Sequence, residues 1–563
     1  ALVCAVPNGF FANNSRLTKL DGFFGLCSGL TQICDRLFRK ELQDTNTFPS
    51  LTQARYMFSG CTNLTGIVSN AFFLGASELT DLGDGLNTTP WNSSGIFGNL
   101  NGFFADTKIT GYFDTFLAPL TKLRNVRGMF YKSSANATLK NCYYYEGSTV
   151  MERSNTVSDK LFANNPSLYQ AGYFFANNTS LVGCIPPNLY SACKKSIAYL
   201  DYAFYNCTGL TGTDLETGEN IGIREEWFSG ASSLINVSSF LNGCTNFSGS
   251  LPKDLLKGCT RLQTVSGMFQ DCSGLMGELP IELFNDCRSS LTSTSYMFLN
   301  CKGLTGDFPT GVYSKAEGIT AYEMCGSTTE GSLKVVTTVT DPYTEVAYST
   351  VVGISPNLVT ILLPDVGYCV VPIIGEVTKV EQYGLLANCI NLTRTDYMFH
   401  ECNGLKGAIP NDIFYTDSLT KRYNVLTTTA NMFYHCGFDK TYVDENTGIH
   451  YFCDANLLSK CPALTDISNM FRGIKVPSCQ LYMNMFARQT VLQNASGLFW
   501  ATNNLTGAIT STLFLNSLGT LTNAYGMFAF TNITSVVSGF LNNGVKNTKI
   551  QQVGAIFYNC PNI

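Results

Sequence analysis

Cysteine is the residue of this sequence whose abundance and spacing most directly raise the prospect of chemistry. There are 22 cysteines against three histidines. In "MFQDCSGLMGELPIELFNDC", Met268 to Cys287, a cysteine follows each bulky apolar pair. Cys244, Cys259, Cys272, Cys287 and Cys301 are 15, 13, 15 and 14 residues apart. Regular cysteines serve disulfides, metal centres or thiolate catalysis. Fourteen of them hold one place in a recurring phrase: Cys27, Cys61, Cys193, Cys207, Cys244, Cys259, Cys272, Cys287, Cys301, Cys389, Cys402, Cys436, Cys461 and Cys560. In other copies that place holds Asn14, Asn165, Asn178, Thr502, Ser517 or Thr531. A disulfide or zinc site does not survive single exchange of cysteine for asparagine. A buried donor that bonds a neighbouring coil's carbonyl does. The expectation is a ladder of buried free thiols. Disulfide links between adjacent coils are the alternative, since stacked strands and bridged cysteines have similar spacings.

The other cysteines, Cys4, Cys34, Cys142, Cys184, Cys325, Cys369, Cys453 and Cys479, are out of register and are the better disulfide candidates, above all Cys325 with Cys369. No C-x-x-C pair supports a redox or zinc-ribbon site. No nucleophile-elbow, zincin, P-loop or dinucleotide fingerprint occurs. His400 and His435 fall at variable positions of the phrase, and with His450 they read as exposed loop histidines. The pairs Glu225–Glu226 and Asp444–Glu445 read as solvated, and "DKTYVDENTG" lacks EF-hand spacing. No catalytic residue, metal or cofactor is expected.

The element that must position these residues is a repeat. The phrase recurs as "FFANNSRL" from Phe10, "MFSGCTNL" from Met57, "AFYNCTGL" from Ala203, "MFLNCKGL" from Met297 and "MFHECNGL" from Met398. A second half-phrase, L-x-G-x-[IL]-P, appears as "LMGELP" from Leu275 and "LKGAIP" from Leu405. Two half-units alternate with a full period of about 28 residues, a length that means a solenoid or propeller-like array. Each unit is too short for a propeller blade, so a solenoid is expected: short β-strands, loops and short helical turns, with stacked coils sharing one core. Pro and Gly turn the chain. The period breaks at 138–157, near 210–225, and at 319–380, 418–430 and 437–455. Solenoid is expected over 1–318 and 381–563. The Val- and Thr-rich 319–380 reads as a β-rich insertion or irregular coils.

The A/M-F-x-x-C-x-x-L phrase is similar to the BspA-like leucine-rich repeats and the related Mycoplasma-type surface repeats, and L-T-G-x-I-P looks like an extracellular leucine-rich repeat. The likeness spans roughly 1–318 and 384–563. The doubled, longer period departs from the BspA-like unit and leaves coil shape open. The resemblance implies a surface or secreted protein used for adhesion, and names no ligand.

Charged residues are 14% of the chain, net charge is −5, and no basic cluster follows a phosphate backbone, so nucleic acid is not an expected partner. No uninterrupted apolar run reaches the length of a membrane span. The chain opens on Ala1 and stops within the repeated phrase, so it is expected to be a processed chain or a piece of a longer one. Fourteen N-x-[ST] sequons, Asn63, Asn246, Asn391 and Asn504 among them, follow from the Asn- and Thr-rich repeat itself. Exposed aromatics make good contacts. Tyr143, Tyr144 and Tyr145 in a non-repeating stretch, with Trp91 and Trp227, are the binding candidates. The function expected is a non-enzymatic adhesion or binding scaffold outside a cell, recognising protein or glycan through a solenoid face and insertion loops. The rivals are a phage or appendage fibre component on a virion surface, and an enzyme with its site in 319–380.

Overall fold

The computed structural model describes the chain except for residues 1–3, 12, 35–36, 39–47, 66, 69–70, 84–101, 112–114, 133–141, 147–148, 154–155, 316–324, 327–332, 341–346, 356–357, 364–366, 373–377, 417–423, 446, 455–456 and 543–548. Backbone alone is described for Cys4, Ile67, 110–111 and the strands between 142 and 153 and between 312 and 381.

A parallel ladder of single-residue bridges runs from Lys19 to Gln552, with fifteen positions joined one to the next. Asn236, Thr264 and Ser293 are consecutive rungs, and the spacing between them fits the period of the sequence. The fold is therefore a repeat solenoid with one rung per coil. Short polar residues suit the rung because their side chains accept the N–H two residues on. Asn236 Oδ1 takes Ser238 N–H at 2.8 Å, Asp466 Oδ1 takes Ser468 N–H at 2.8 Å, and Asn494 Oδ1 takes Ser496 N–H at 3.1 Å.

Past the rung, alternate N–H groups bond the next coil. Val265 N reaches Ser293 O at 3.1 Å, Gly267 N reaches Ser295 O at 2.8 Å and Phe269 N reaches Met297 O at 3.0 Å. The groups between them close turns inside the coil, such as Met268 N to Val265 O at 3.0 Å. The third residue past the rung lies in the left-handed region: Tyr202 at φ 57°, Ser239 at 53°, Gly267 at 62° and Tyr296 at 61°. The coil is thus made of turns. One short helix, the 3-10 turn Glu225–Trp227, is present among the described residues, so the short helical turns expected in each coil are replaced by hydrogen-bonded turns. The Leu-x-Gly half-phrase gives two-residue strands, with Ser248–Gly249 parallel to Gly274–Leu275 and Gly306–Asp307 parallel to Leu405–Lys406.

The Met-Phe pair points inward. Phe269, Phe298, Phe399, Phe433, Phe471, Phe499, Phe528 and Phe557 stack one per coil, with ring centroids 5.5 to 6.2 Å apart and planes within 14°. Burying each such ring stabilises by about 1.5–3 kcal/mol. The stack crosses the large excursion without a break, because Ser293 bridges Arg394 directly. The excursion leaves on Val312–Lys315 and returns on Thr378–Gln382, which pair antiparallel as a stem. Within it, Cys325–Gly326, Leu333–Thr340, Ala347–Ser355, Leu358–Leu363 and Gly367–Pro372 form a five-stranded antiparallel sheet in chain order. A smaller hairpin pairs Tyr442–Val443 with His450–Tyr451.

Candidate binding groove

The repeat cysteines form the inner stripe of the coil. Cys61 Sγ donates to Phe24 O at 2.9 Å, Cys207 to Phe175 O at 3.1 Å, Cys244 to Phe204 O at 3.1 Å and Cys272 to Leu241 O at 3.2 Å. Cys301, Cys402, Cys436 and Cys560 donate to Phe269, Phe298, Phe399 and Phe528 carbonyls, each at 3.0 Å. Each acceptor belongs to the preceding coil. At the same place Asn178 Nδ2 donates to Phe130 O at 2.6 Å and Thr502 Oγ1 to Phe471 O at 2.9 Å. A second line serves the other half-phrase, where Cys259 donates to Phe228 O at 3.2 Å and Asn165 Nδ2 to Leu120 O at 2.8 Å. Cys193 and Cys287 turn to carbonyls of their own coils, Tyr190 and Phe284. Cys389 packs buried beside Arg288, and Cys461 accepts from Asn424 Nδ2 at 3.8 Å. Asn14 and Cys27, in the first coils, are exposed.

Burial pushes the Cys61, Cys193, Cys244 and Cys259 thiols up to about 12. It carries Cys207, Cys272 and Cys301 well above the ordinary thiol range. A protonated buried thiol is a poor nucleophile and a poor metal ligand. Of the cysteines favoured from the sequence as disulfide partners, Cys184, Cys453 and Cys479 are free thiols, and Cys34 Sγ donates to Pro7 O at 3.0 Å. Cys325 and Cys369 stand on the two outermost strands of the five-stranded sheet, and their side chains lie outside the described residues. Among the described residues no group of three or more His, Cys, Asp or Glu gathers as metal ligands, and no helix is long and apolar enough to cross a membrane.

Of the aromatic candidates, Trp227 requires correction. It is fully buried, its indole N–H donates to Ile185 O at 3.3 Å, and its ring packs on Phe240 and Phe247. The chain uses it as a core side chain and not as an exposed contact residue. Tyr143, Tyr144 and Tyr145 lie on the strand Cys142–Glu146, paired antiparallel with Thr149–Arg153, with side chains outside the described residues. Trp91 lies outside the described residues. The sequon amides Asn63, Asn246, Asn391 and Asn504 donate to Ser28, Thr208, Ser289 and Val476 carbonyls, so they form a further line of rungs.

The outer stripe carries the site that these candidates missed. The left-handed position after the rung holds tyrosine in several coils. Tyr173 and Tyr202 stack at 4.5 Å and 13°, and Tyr296 and Tyr397 stack at 4.9 Å and 8°. Between the two pairs, the same position holds Ser239 and Gly267. The missing rings leave an open groove of about 530 Å³. Its floor is a chain of hydroxyls: Ser238 to Thr264 at 3.0 Å, Thr264 to Ser266 at 3.0 Å, and Ser266 to Ser293 at 2.7 Å. Asn242 Nδ2 donates to Gln270 Oε1 at 3.2 Å along one wall. Arg127 and Asp201 close one end as a buried ion pair, 2.9 Å apart, with the guanidinium 4.6 Å from the Tyr173 ring centre. The sequence signal was a tyrosine immediately before the apolar pair, as in "GYFF", "DYAF", "SYMF" and "DYMF". The same face continues past Tyr397, with His400 stacked on Tyr434 at 4.3 Å and Arg472 lying 4.7 Å from the Trp500 ring centre. Burial lowers the His400 pKa, so this imidazole is neutral at ordinary pH.

No known family model matches the chain, and no curated protein matches it. Among solved structures it is similar to the plant peptide hormone receptor RGFR1, solved with RGF2, at 12% identity and a TM-score of 0.17, over 96% of this chain and 80% of that one. It is also similar to TLR13 in its complex with ssRNA13, at 12% identity and a TM-score of 0.15, over 95% and 68%. Identities and TM-scores this low leave function to be argued from the chain itself.

Proposed function

We propose that this chain is a non-enzymatic binding scaffold, displayed outside a cell or in a surface assembly, which recognises protein or glycan through the outer stripe of its solenoid. The observation that carries the reading is the contrast between inside and outside. The interior repeats one solution, an apolar pair and a hydrogen-bond donor, coil after coil. The outer stripe keeps the register and varies the residue, with stacked tyrosines, a polar groove and the His400–Trp500 aromatic run. An extended face of this kind binds through many modest contacts. A chain outside a cell that keeps many thiols free needs them shielded, and burial with raised pKa supplies that shielding.

The experiment is an array of glycans and surface proteins probed with the intact chain, run beside size analysis in solution and a hydrolase and transferase substrate screen. Specific array binding by a non-turning-over chain is the expected result. Absence of binding on both arrays together with turnover of any substrate would overturn the reading in favour of an enzyme. Assembly into trimers or a collar without binding would favour a fibre component.

A further inference from the structure

The groove between Tyr202 and Tyr296 has a composition that selects its occupant, and this inference rests on the scaffold reading above. We propose that it is a binding site for a neutral oligosaccharide, held edge-on by the hydroxyl floor and covered at its ends by the tyrosine pairs.

The argument begins with charge. Arg127 and Asp201 are the two charged side chains of the lining, and they neutralise each other. An acidic or basic ligand would enter without a charged partner, so its charge would add no attraction and would still lose part of its hydration. The floor comes next. The hydroxyl chain runs one way: Thr264 donates to Ser266, Ser293 to Ser295 and Ser295 to the Asp396 carboxylate, which leaves Ser238 donating to Thr264 and Ser266 to Ser293. Each hydroxyl spends its one proton inside the chain and keeps lone-pair capacity for a ligand donor. Sugar hydroxyls supply such donors at closely spaced points, without a charge. An extended peptide offers fixed N–H and C=O directions and ordinarily gains affinity by adding a strand to a free edge. Here the rungs Asn236, Thr264 and Ser293 already bridge coils on both sides.

The walls complete the fit. The two stacks present flat aromatic rings at the ends of the gap, three coil spacings apart, which at ~4.8 Å per strand is about 14 Å. Aromatic faces suit the C–H faces of pyranose rings, as they suit other partly apolar, partly polar surfaces. The gap exists because Ser239 and Gly267 occupy positions that hold tyrosine at Tyr173, Tyr202, Tyr296 and Tyr397, all at positive φ. A tyrosine at 239 is therefore compatible with the coil and refills the gap.

That compatibility supplies the test. Intact chain, Ser239→Tyr, Tyr202→Ala and the remote surface variant Met483→Ala are titrated calorimetrically. The probes are neutral glucose, galactose and mannose oligomers of two to four units and uncharged peptides of matching length. Thermal melts confirm that each variant is folded. The expected result is binding of at least one saccharide with a Kd on the order of a millimolar or below. Ser239→Tyr should abolish it, Tyr202→Ala should weaken it about tenfold, and Met483→Ala should leave it unchanged. Saccharide binding that survives Ser239→Tyr would overturn the groove assignment, and so would binding of the peptides alone. Either outcome leaves the scaffold reading standing, whereas that reading fails only if the arrays also stay empty.

Discussion

The inner and outer stripes of this solenoid are built on the same coils and obey different rules. Inside, the place after Met-Phe takes cysteine, asparagine, threonine or serine, and most of them share one task, donating to a carbonyl of the coil before. Outside, a step of one coil turns tyrosine into serine or glycine at the same position and opens a groove. The inner stripe tolerates chemical change because only a donor of small size is required. The outer stripe changes shape with each exchange because its rings stack on one another along the face, and a coil without a ring leaves a gap. In a repeat protein, conspicuous chemistry at a regular position belongs to the stack, and binding belongs where the register is kept but the residue is not.

The largest way to break this comparison is to attack the Phe stack. Phe298 is fully buried between Phe269 and Phe399. Phe298→Ala should destabilise by about 4 kcal/mol, read by denaturant titration. Next comes a rung. The Phe269 carbonyl takes the Cys272 N–H of its own coil and the Cys301 thiol of the following one, so Cys301→Ala removes one of its two bonds. The expected cost is about 1.5 kcal/mol, and Cys301→Ser, which keeps a donor, should cost less in the same titration.

A smaller effect is expected at the rung Asp81. Burial, offset in part by Arg55 and the Gly83 N–H, raises its carboxyl from 3.8 to about 6. The folded chain then holds a proton there that the unfolded chain has released. Stability from this group is complete below pH 4 and is lost as pH rises through about 6. Asparagine serves the same rung at Asn125, Asn236 and Asn494. Asp81→Asn should flatten the stability–pH curve between pH 4 and 6. It should add about 1 kcal/mol at pH 7, the full shift being discounted because the side chain is half-buried. The smallest effect sharpens the contrast. Tyr202→Ala, on the outer stripe, should cost only about 0.5 kcal/mol of stability while it weakens ligand binding.

The solenoid was legible because its period and its apolar pair are local features of the sequence, and the exchange of Cys272-type positions with Asn178 and Thr502 named the physical role of the place. The groove was not legible. Reading Ser239 and Gly267 as gaps requires knowing that they share a backbone position with Tyr202 and Tyr296, and that this position lies in the left-handed region facing outward. The place is readable, since Ser239 and Gly267 each precede an apolar pair as Tyr202 and Tyr296 do, but its left-handed backbone and its position in a groove come from the folded coil. Trp227 was not legible either, because its burial depends on contacts with Phe240 and Phe247, further along the chain, and with the Ile185 carbonyl before it.

The most direct test of the account is a thiol titration with an alkylating reagent, without reductant, on the native and then the unfolded chain. Four of the described cysteines, Cys27, Cys34, Cys184 and Cys560, are at least partly exposed, and fourteen are buried and free. Among the eighteen described cysteines, the native chain should react at no more than those four positions, and unfolding should release the fourteen as reactive thiols. Failure of the rung cysteines to react after unfolding, with recovery on reduction, would show that they are disulfides and would contradict the account.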